Sequence, residues 1–242
     1  MRIRVIACEV LFRELCLCAA HARSVIDLVF LRRGLHDNPQ ALRDLLQAMI
    51  DETDQDRCQT VALGYGLCSN GVAGLRARAL PLVLPRAHDC ITLLLGSKES
   101  YARHFSRRPG TYYYSGGWVE RAADRVPRRP EDGAGLDLSF EEIVTKYGQD
   151  NAEYLWELQS SWVKRYTHAT YLDTNLGDSQ AYRGHAQRVA RDGRWSFDEI
   201  AGDLTLLQAL VNGAWDEGRF LVVPPAHQVV PAIGAEIIAA KR

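Results

Sequence analysis

Between Ile3 and Arg86, four short apolar runs alternate with stretches of helical character. Residues 3–8 (IRVIAC), 25–31 (VIDLVFL), 59–66 (QTVALGYG) and 81–86 (PLVLPR) read as strands. Residues 9–22, rich in Leu, Ala and Glu, read as a helix. Asn38 and Pro39 supply a cap and a first-turn proline for a second helix reaching about Asp51. A further helical stretch follows the HDC segment. A strand–helix order of this kind leaves the strands parallel, because each helix carries the chain back across the sheet. The pattern predicts an α/β fold with a mostly parallel sheet flanked by helices.

The remainder is less regular. TYYYSGGWVE (111–120) reads as a strand with a Gly-Gly kink, followed by a charged loop through Gly135. Ser139 and Glu142 form a capping box for a helix, and residues 150–166 read as a longer one. HATYLD (168–173) reads as a strand, 178–191 and 204–211 as helices, and RFLVVPP (219–225) as a buried strand stopped by proline. One α/β domain over 1–242 and two lobes, 1–120 and 136–242, fit this pattern equally.

Lys plus Arg number 29 against 30 Asp plus Glu, a balance that excludes a polyanion-coating protein, so no nucleic-acid partner is expected. No run approaches the ~20 apolar residues that span a bilayer, so no membrane partner is expected either. The N-terminus meets Glu9, Arg13 and Glu14 too early for a signal peptide. A cytoplasmic, reducing location is therefore expected, in which the six cysteines are thiols or metal ligands rather than disulfides.

Three cysteines fall at equivalent places. Cys8 ends the first strand, Cys68 lies in the GYGLCSNG loop after the third, and Cys90 follows the fourth within PRAHDC. In open parallel sheets ligands bind beyond the carboxyl ends of the strands, where loops converge. Three soft sulfurs gathered there suit zinc, with the fourth position open or filled by His88. They also suit a 4Fe-4S cluster that leaves one iron free, since such clusters ordinarily take four cysteines. The competing reading is that each cysteine is a small buried hydrophobe. Cys16, Cys18 and Cys58 read as structural.

Around the trio, Glu9 is a candidate acid/base and Asp89 a candidate orienting carboxylate for His88. Their competing roles are a helix-start carboxylate and an N-cap. Arg86, Tyr112, Trp118 and Asp173 are candidate cofactor contacts; the aromatics read equally as core. No dinucleotide fingerprint, phosphate loop or HExxH is present.

The segments ACEVLFRE, LGYGLCSNG, LPRAHDCITLLLGSKESY and PGTYYYSGGW resemble the domain of unknown function 1638 family. The likeness continues more loosely through YGQDNAEYLWE, TYLDT and FLVVPP. The family pattern matches Cys8, Cys68, His88 and Cys90. The resemblance implies a setting in anaerobic one-carbon metabolism, among corrinoid proteins and methyltransferases. The resulting expectation is a metal-dependent enzyme with a small-molecule substrate and a corrinoid protein as partner. Its rivals are an iron–sulfur lyase or redox enzyme, a non-catalytic metal or corrinoid accessory protein, and a metal-free cysteine enzyme with His88 as base.

Overall fold

The computed structural model describes residues 1–121, 144–145, 148–149 and 166–242. The expected helices at 139–142 and 150–166 fall almost wholly outside the described residues. The described chain divides into two compact units, the first of residues 1–104, 174–177 and 201–242, the second of residues 105–173 and 178–200.

The first unit is built on a five-stranded sheet. Strands β1 (Arg2–Cys8), β2 (Val25–Leu31), β3 (Thr60–Gly64), β4 (Leu82–Pro85) and β8 (Phe220–Val223) lie in the order β2-β1-β3-β4-β8. The first four are parallel, as the alternating pattern predicts, and β8 pairs antiparallel to β4. Helix α1 (Phe12–Ala20) follows a short 3-10 turn over Glu9–Leu11, and α2 (Pro39–Asp51) starts where Asn38 accepts the Ala41 N–H at 3.1 Å. Ile3, Val5, Ile6, Val61, Leu63, Leu82 and Leu84 are buried on both sheet faces, the signature of a covered parallel sheet. α3 (Cys90–Leu94), α4 (Lys98–Arg107) and α7 (Thr205–Asn212) complete the helices that bear on this account, along with the hairpin β9 (Gln228–Pro231) and β10 (Ile238–Lys241).

Arg86 is the tie that fixes β8 and the hairpin. Its side chain is only 10% exposed and sits against Glu236 at 3.1 Å. Its Nε donates to the Glu217 carbonyl at 2.8 Å, and its Nη1 donates to the Glu236 and Ile238 carbonyls. The guanidinium, expected as a cofactor contact, thus has its donors directed at backbone carbonyls of the C-terminal segment.

The second unit holds a three-stranded sheet, β5 (Thr111–Ser115), β6 (His168–Asp173) and β7 (Ser196–Ala201), in the order β5-β6-β7, with β5 and β6 parallel. Helix α6 (Ser179–Asp192) covers it, and Tyr114, Ala169, Tyr171, Tyr182, Ala186 and Ala190 form the core. The Gly-Gly segment corrects the sequence expectation: it opens helix α5 (Gly116–Glu120) rather than kinking a strand. Ser115 ends β5 and accepts the Trp118 N–H at 3.2 Å, and this cap turns the chain out of the sheet.

Replacing Arg86 with methionine keeps the stem but leaves three carbonyls without their donor. Such a loss is expected to cost about 1–3 kcal/mol, read as a lower urea midpoint and faster proteolysis within residues 216–241.

Candidate functional site

The carboxyl ends of β1, β3 and β4 are immediate neighbours in the sheet. Ala7 stands opposite Gly64 in the β1–β3 register, one residue before Cys8. A Cβ on Gly64 would lie 2.6 Å from that of Ala7, so only glycine lets the two strand ends close. Beyond the strands, the loops stay joined. The Leu67 N–H donates to the Ala87 carbonyl at 2.8 Å, and the Cys68 N–H donates to the His88 carbonyl at 2.9 Å. Gly66 is pressed against the same segment: a Cβ there would sit 2.6 Å from the Asp89 nitrogen and 2.8 Å from the His88 carbonyl carbon. The loop bearing Cys68 and the turn bearing Cys90 therefore run side by side.

Cys68, Ser69 and Asn70 adopt φ of 46°, 55° and 66°. Three successive left-handed non-glycine residues cost roughly 1–2 kcal/mol each. Such backbone persists where its surroundings over-determine it, and it clusters at functional sites. Here Arg43 of α2 donates to the Asn70 carbonyl at 3.1 Å, and Gly71 N–H closes on the Cys68 carbonyl at 2.9 Å.

All three thiols share one electrostatic environment. Cys8 is buried, and Cys68 and Cys90 are partly exposed residues. Burial pushes the Cys68 thiol up to about 12, and the Asp89 and Cys8 charges add to it. Burial raises Cys90 far above the ordinary thiol range, helped by Asp89, Cys8 and Cys68. Cys8 is raised by burial and by Glu9, with Arg33 opposing. The peptide N–H groups of Val10, Gly66 and Cys90 act in the other sense and favour the thiolates. Among the described residues no set of three or more His, Cys, Asp or Glu is drawn into coordinating geometry. The sulfurs are neighbours in one field rather than a closed cage.

Tyr65, between the two packed glycines, is 3% exposed, and its hydroxyl is buried without a hydrogen-bond partner. Burial raises its phenol first, then the charges of Cys8, Cys68, Cys90 and Glu9. The hydroxyl thus lies within the electrostatic reach of the same three cysteines. Sequence reasoning missed this residue, because an aromatic at a strand end reads as core.

The other expected residues are placed as follows. The Asp89 carboxylate accepts from the Thr92 N–H at 3.1 Å and caps α3, and burial raises its carboxyl. Glu9 accepts the Arg33 N–H at 2.8 Å. The His88 side chain is exposed, its ring 6.3 Å from that of Tyr101. Tyr112, Trp118 and Asp173 belong to the second unit. Tyr112 stacks near Tyr114, Tyr166 and Trp195, and Trp118 packs on the aromatic core. Asp173 accepts from the Ser179 hydroxyl at 2.8 Å and pairs with Arg183 at 3.3 Å, fixing the start of α6.

Comparison with protein families matches residues 30–211 to the family described as "Protein of unknown function (DUF1638)". The chain belongs to the DUF1638 family. The DUF1638 match takes in Cys68, His88 and Cys90 and begins beyond Cys8. No curated protein and no solved structure matches the chain. No helix among the described residues is long and apolar enough to cross a membrane.

The raised thiols carry a stability consequence in the metal-free protein. Above the ordinary thiol pKa of about 8.5, the unfolded chain sheds thiol protons that the folded chain retains. Stability is therefore full below that pH and falls as pH rises, by up to about tenfold in the unfolding constant per pH unit for each thiol. Urea unfolding from pH 7 to 10 is expected to show a steeper alkaline loss for the wild type than for Cys68→Ser.

Proposed function

We propose that Cys8, Cys68 and Cys90 bind a zinc ion in a metal-dependent enzyme of one-carbon metabolism, which moves a methyl group between a small-molecule substrate and a corrinoid-carrying partner. The observation that supports the metal site is the position of Cys8, Cys68 and Cys90 just beyond the carboxyl ends of three adjacent parallel strands, with the backbones bearing Cys68 and Cys90 hydrogen-bonded side by side. Three protein thiolates with a fourth position open is a donor set that zinc accepts in catalytic sites. The orphaned Tyr65 hydroxyl and the N–H groups that favour the thiolates fit the same occupant.

When bound, the ion would deprotonate a coordinating substrate thiol at neutral pH, making it a nucleophile. The chain's own residues orient it. Gly64 and Gly66 let the strand ends close, Asp89 fixes the turn that presents Cys90, and Arg43 holds the Cys68 loop. Glu9 stands beside Cys8 as a proton acceptor, and His88 at the rim serves as an added ligand or as its partner. The methyl and corrinoid part of the reading is supported by the family resemblance.

The metal-free cysteine enzyme fits less well. A nucleophilic thiolate needs a lowered pKa, and every thiol of the trio is pushed upward. An iron–sulfur cluster on the same cysteines is the rival that metal analysis separates.

Protein purified without oxygen is expected to be colourless and to hold one zinc per chain, lost in Cys8→Ser, Cys68→Ser and Cys90→Ser. Broad visible absorbance with bound iron and sulfide would replace zinc by a cluster. An ion-free protein, or one whose ion survives Cys68→Ser, would overturn the site. With a small thiol and methylcobalamin, the zinc protein is expected to change the corrinoid's visible spectrum, and Cys68→Ser is not.

A further inference from the structure

The C-terminal segment is bonded to both of the limbs that carry Cys68 and Cys90. Strand β9 pairs with the chain just beyond the Cys68 loop. The Gly74 N–H donates to the Val229 carbonyl and the Val229 N–H donates to the Leu75 carbonyl, each at 2.8 Å. The Ala77 N–H donates to the His227 carbonyl at 2.9 Å and the Ala226 N–H to the Ala77 carbonyl at 3.2 Å. Two cations bracket the Cys90 limb and reach into the same segment. Arg86, before it, donates to the Glu217, Glu236 and Ile238 carbonyls. Lys98, at the start of α4 beyond it, donates to the Gly218 carbonyl at 3.0 Å and the Ala235 carbonyl at 2.8 Å. The hairpin tip is itself held in one shape. Ile237 is 2% exposed and stands at φ 63°, a conformation that a β-branched residue keeps only where its surroundings impose it. The Ala232 N–H closes the tip on the Ile237 carbonyl at 3.0 Å.

We propose that the β9–β10 hairpin is a brace that sets the separation of the Cys68 and Cys90 limbs, with Lys98 and Arg86 as its positioning residues. This rests on the reading of the trio as a metal site and states how that site is kept in shape. The limbs already meet where Leu67 donates to Ala87 and Cys68 to His88. The hairpin joins them a second time, from residues 74–77 on one limb to Arg86 and Lys98 on the other. Limbs and hairpin thus form a closed ring. A ring opened at one joint lets its two sides drift, whereas a closed ring holds a ligand set at one spacing. An ion that needs sulfurs from both limbs therefore binds the braced form better. By linkage, that ion tightens the docking of the hairpin by the same factor. No covalent step is involved; the ion shifts an equilibrium between braced and loosened forms.

Lys98→Met removes the donor and keeps an apolar stem, and Lys98→Arg restores a donor. The full-length wild type and both variants, purified without oxygen and stripped of metal, are titrated with zinc against a chromophoric chelator. Amide hydrogen exchange is followed in each with and without zinc. Zinc is expected to slow exchange in residues 228–241 of the wild type. Lys98→Met is expected to bind zinc roughly tenfold more weakly, within the usual size of a coupling between sites, and Lys98→Arg to bind it as the wild type does. Zinc bound equally by wild type and Lys98→Met, or hairpin exchange unchanged by zinc, overturns the brace and leaves the zinc reading standing. An equal loss of affinity in Lys98→Arg and Lys98→Met does the same. A wild type that binds no zinc sinks the zinc reading instead. The brace is then decided by exchange in the metal-free proteins. It stands if Lys98→Met quickens residues 66–77 and 86–90 together, and falls if those limbs exchange as in the wild type.

Discussion

Parallel pairing of β1, β3 and β4 brings three chain segments to one edge, and the rest of the first unit depends on how closely those strand ends can approach. Backbone hydrogen bonding continues past the strands, from Leu67 to Ala87 and from Cys68 to His88, so the loops are held almost as firmly as the sheet itself. Gly64 against Ala7 and Gly66 against Asp89 set the separation. A side chain at either position would wedge the ends apart and carry the cysteines with them. The backbone cost lies in the left-handed run Cys68–Asn70, which the surrounding fold holds in place.

The electrostatic character of the edge follows from that closeness. Three thiols placed together beneath protein cannot all ionise, because each charge opposes the others and burial opposes all of them. Added Glu9 and Asp89 deepen the negative potential. The arrangement is costly for anions in isolation. Arg33 offers Cys8 a single positive charge, insufficient to balance the set.

Much of this was legible in the residues. Strands β1, β2 and β6 are marked by short runs rich in apolar residues and helix α2 by its Asn-Pro start, signals that depend on local chemistry alone. The placement of Cys8, Cys68 and Cys90 at strand ends followed from the parallel topology. The short strands β7, β9 and β10 escaped notice because they carry polar or exposed positions and are defined by their partners. The Gly-Gly segment misled because Ser115 caps a helix there, a choice made by one side-chain oxygen. Nothing in Cys-Ser-Asn foretells three left-handed residues. Tyr65 gave no signal because its significance is the absence of a partner, which only tertiary structure reveals. Arg86 looked like a ligand contact because its destination lies more than a hundred residues away, in the returning C-terminal segment.

That return has a consequence for how the chain is made. β4 supports the turn bearing Cys90, yet its outer neighbour β8 and the carbonyls that satisfy Arg86 come from residues 217–238. During synthesis the four parallel strands emerge first, with the outer edge of β4 unprotected and a buried guanidinium unmatched. Exposed strand edges invite pairing with other chains, and partly emerged chains are vulnerable in this way. A firmly seated β4 is thereby available only after the last strands have been delivered.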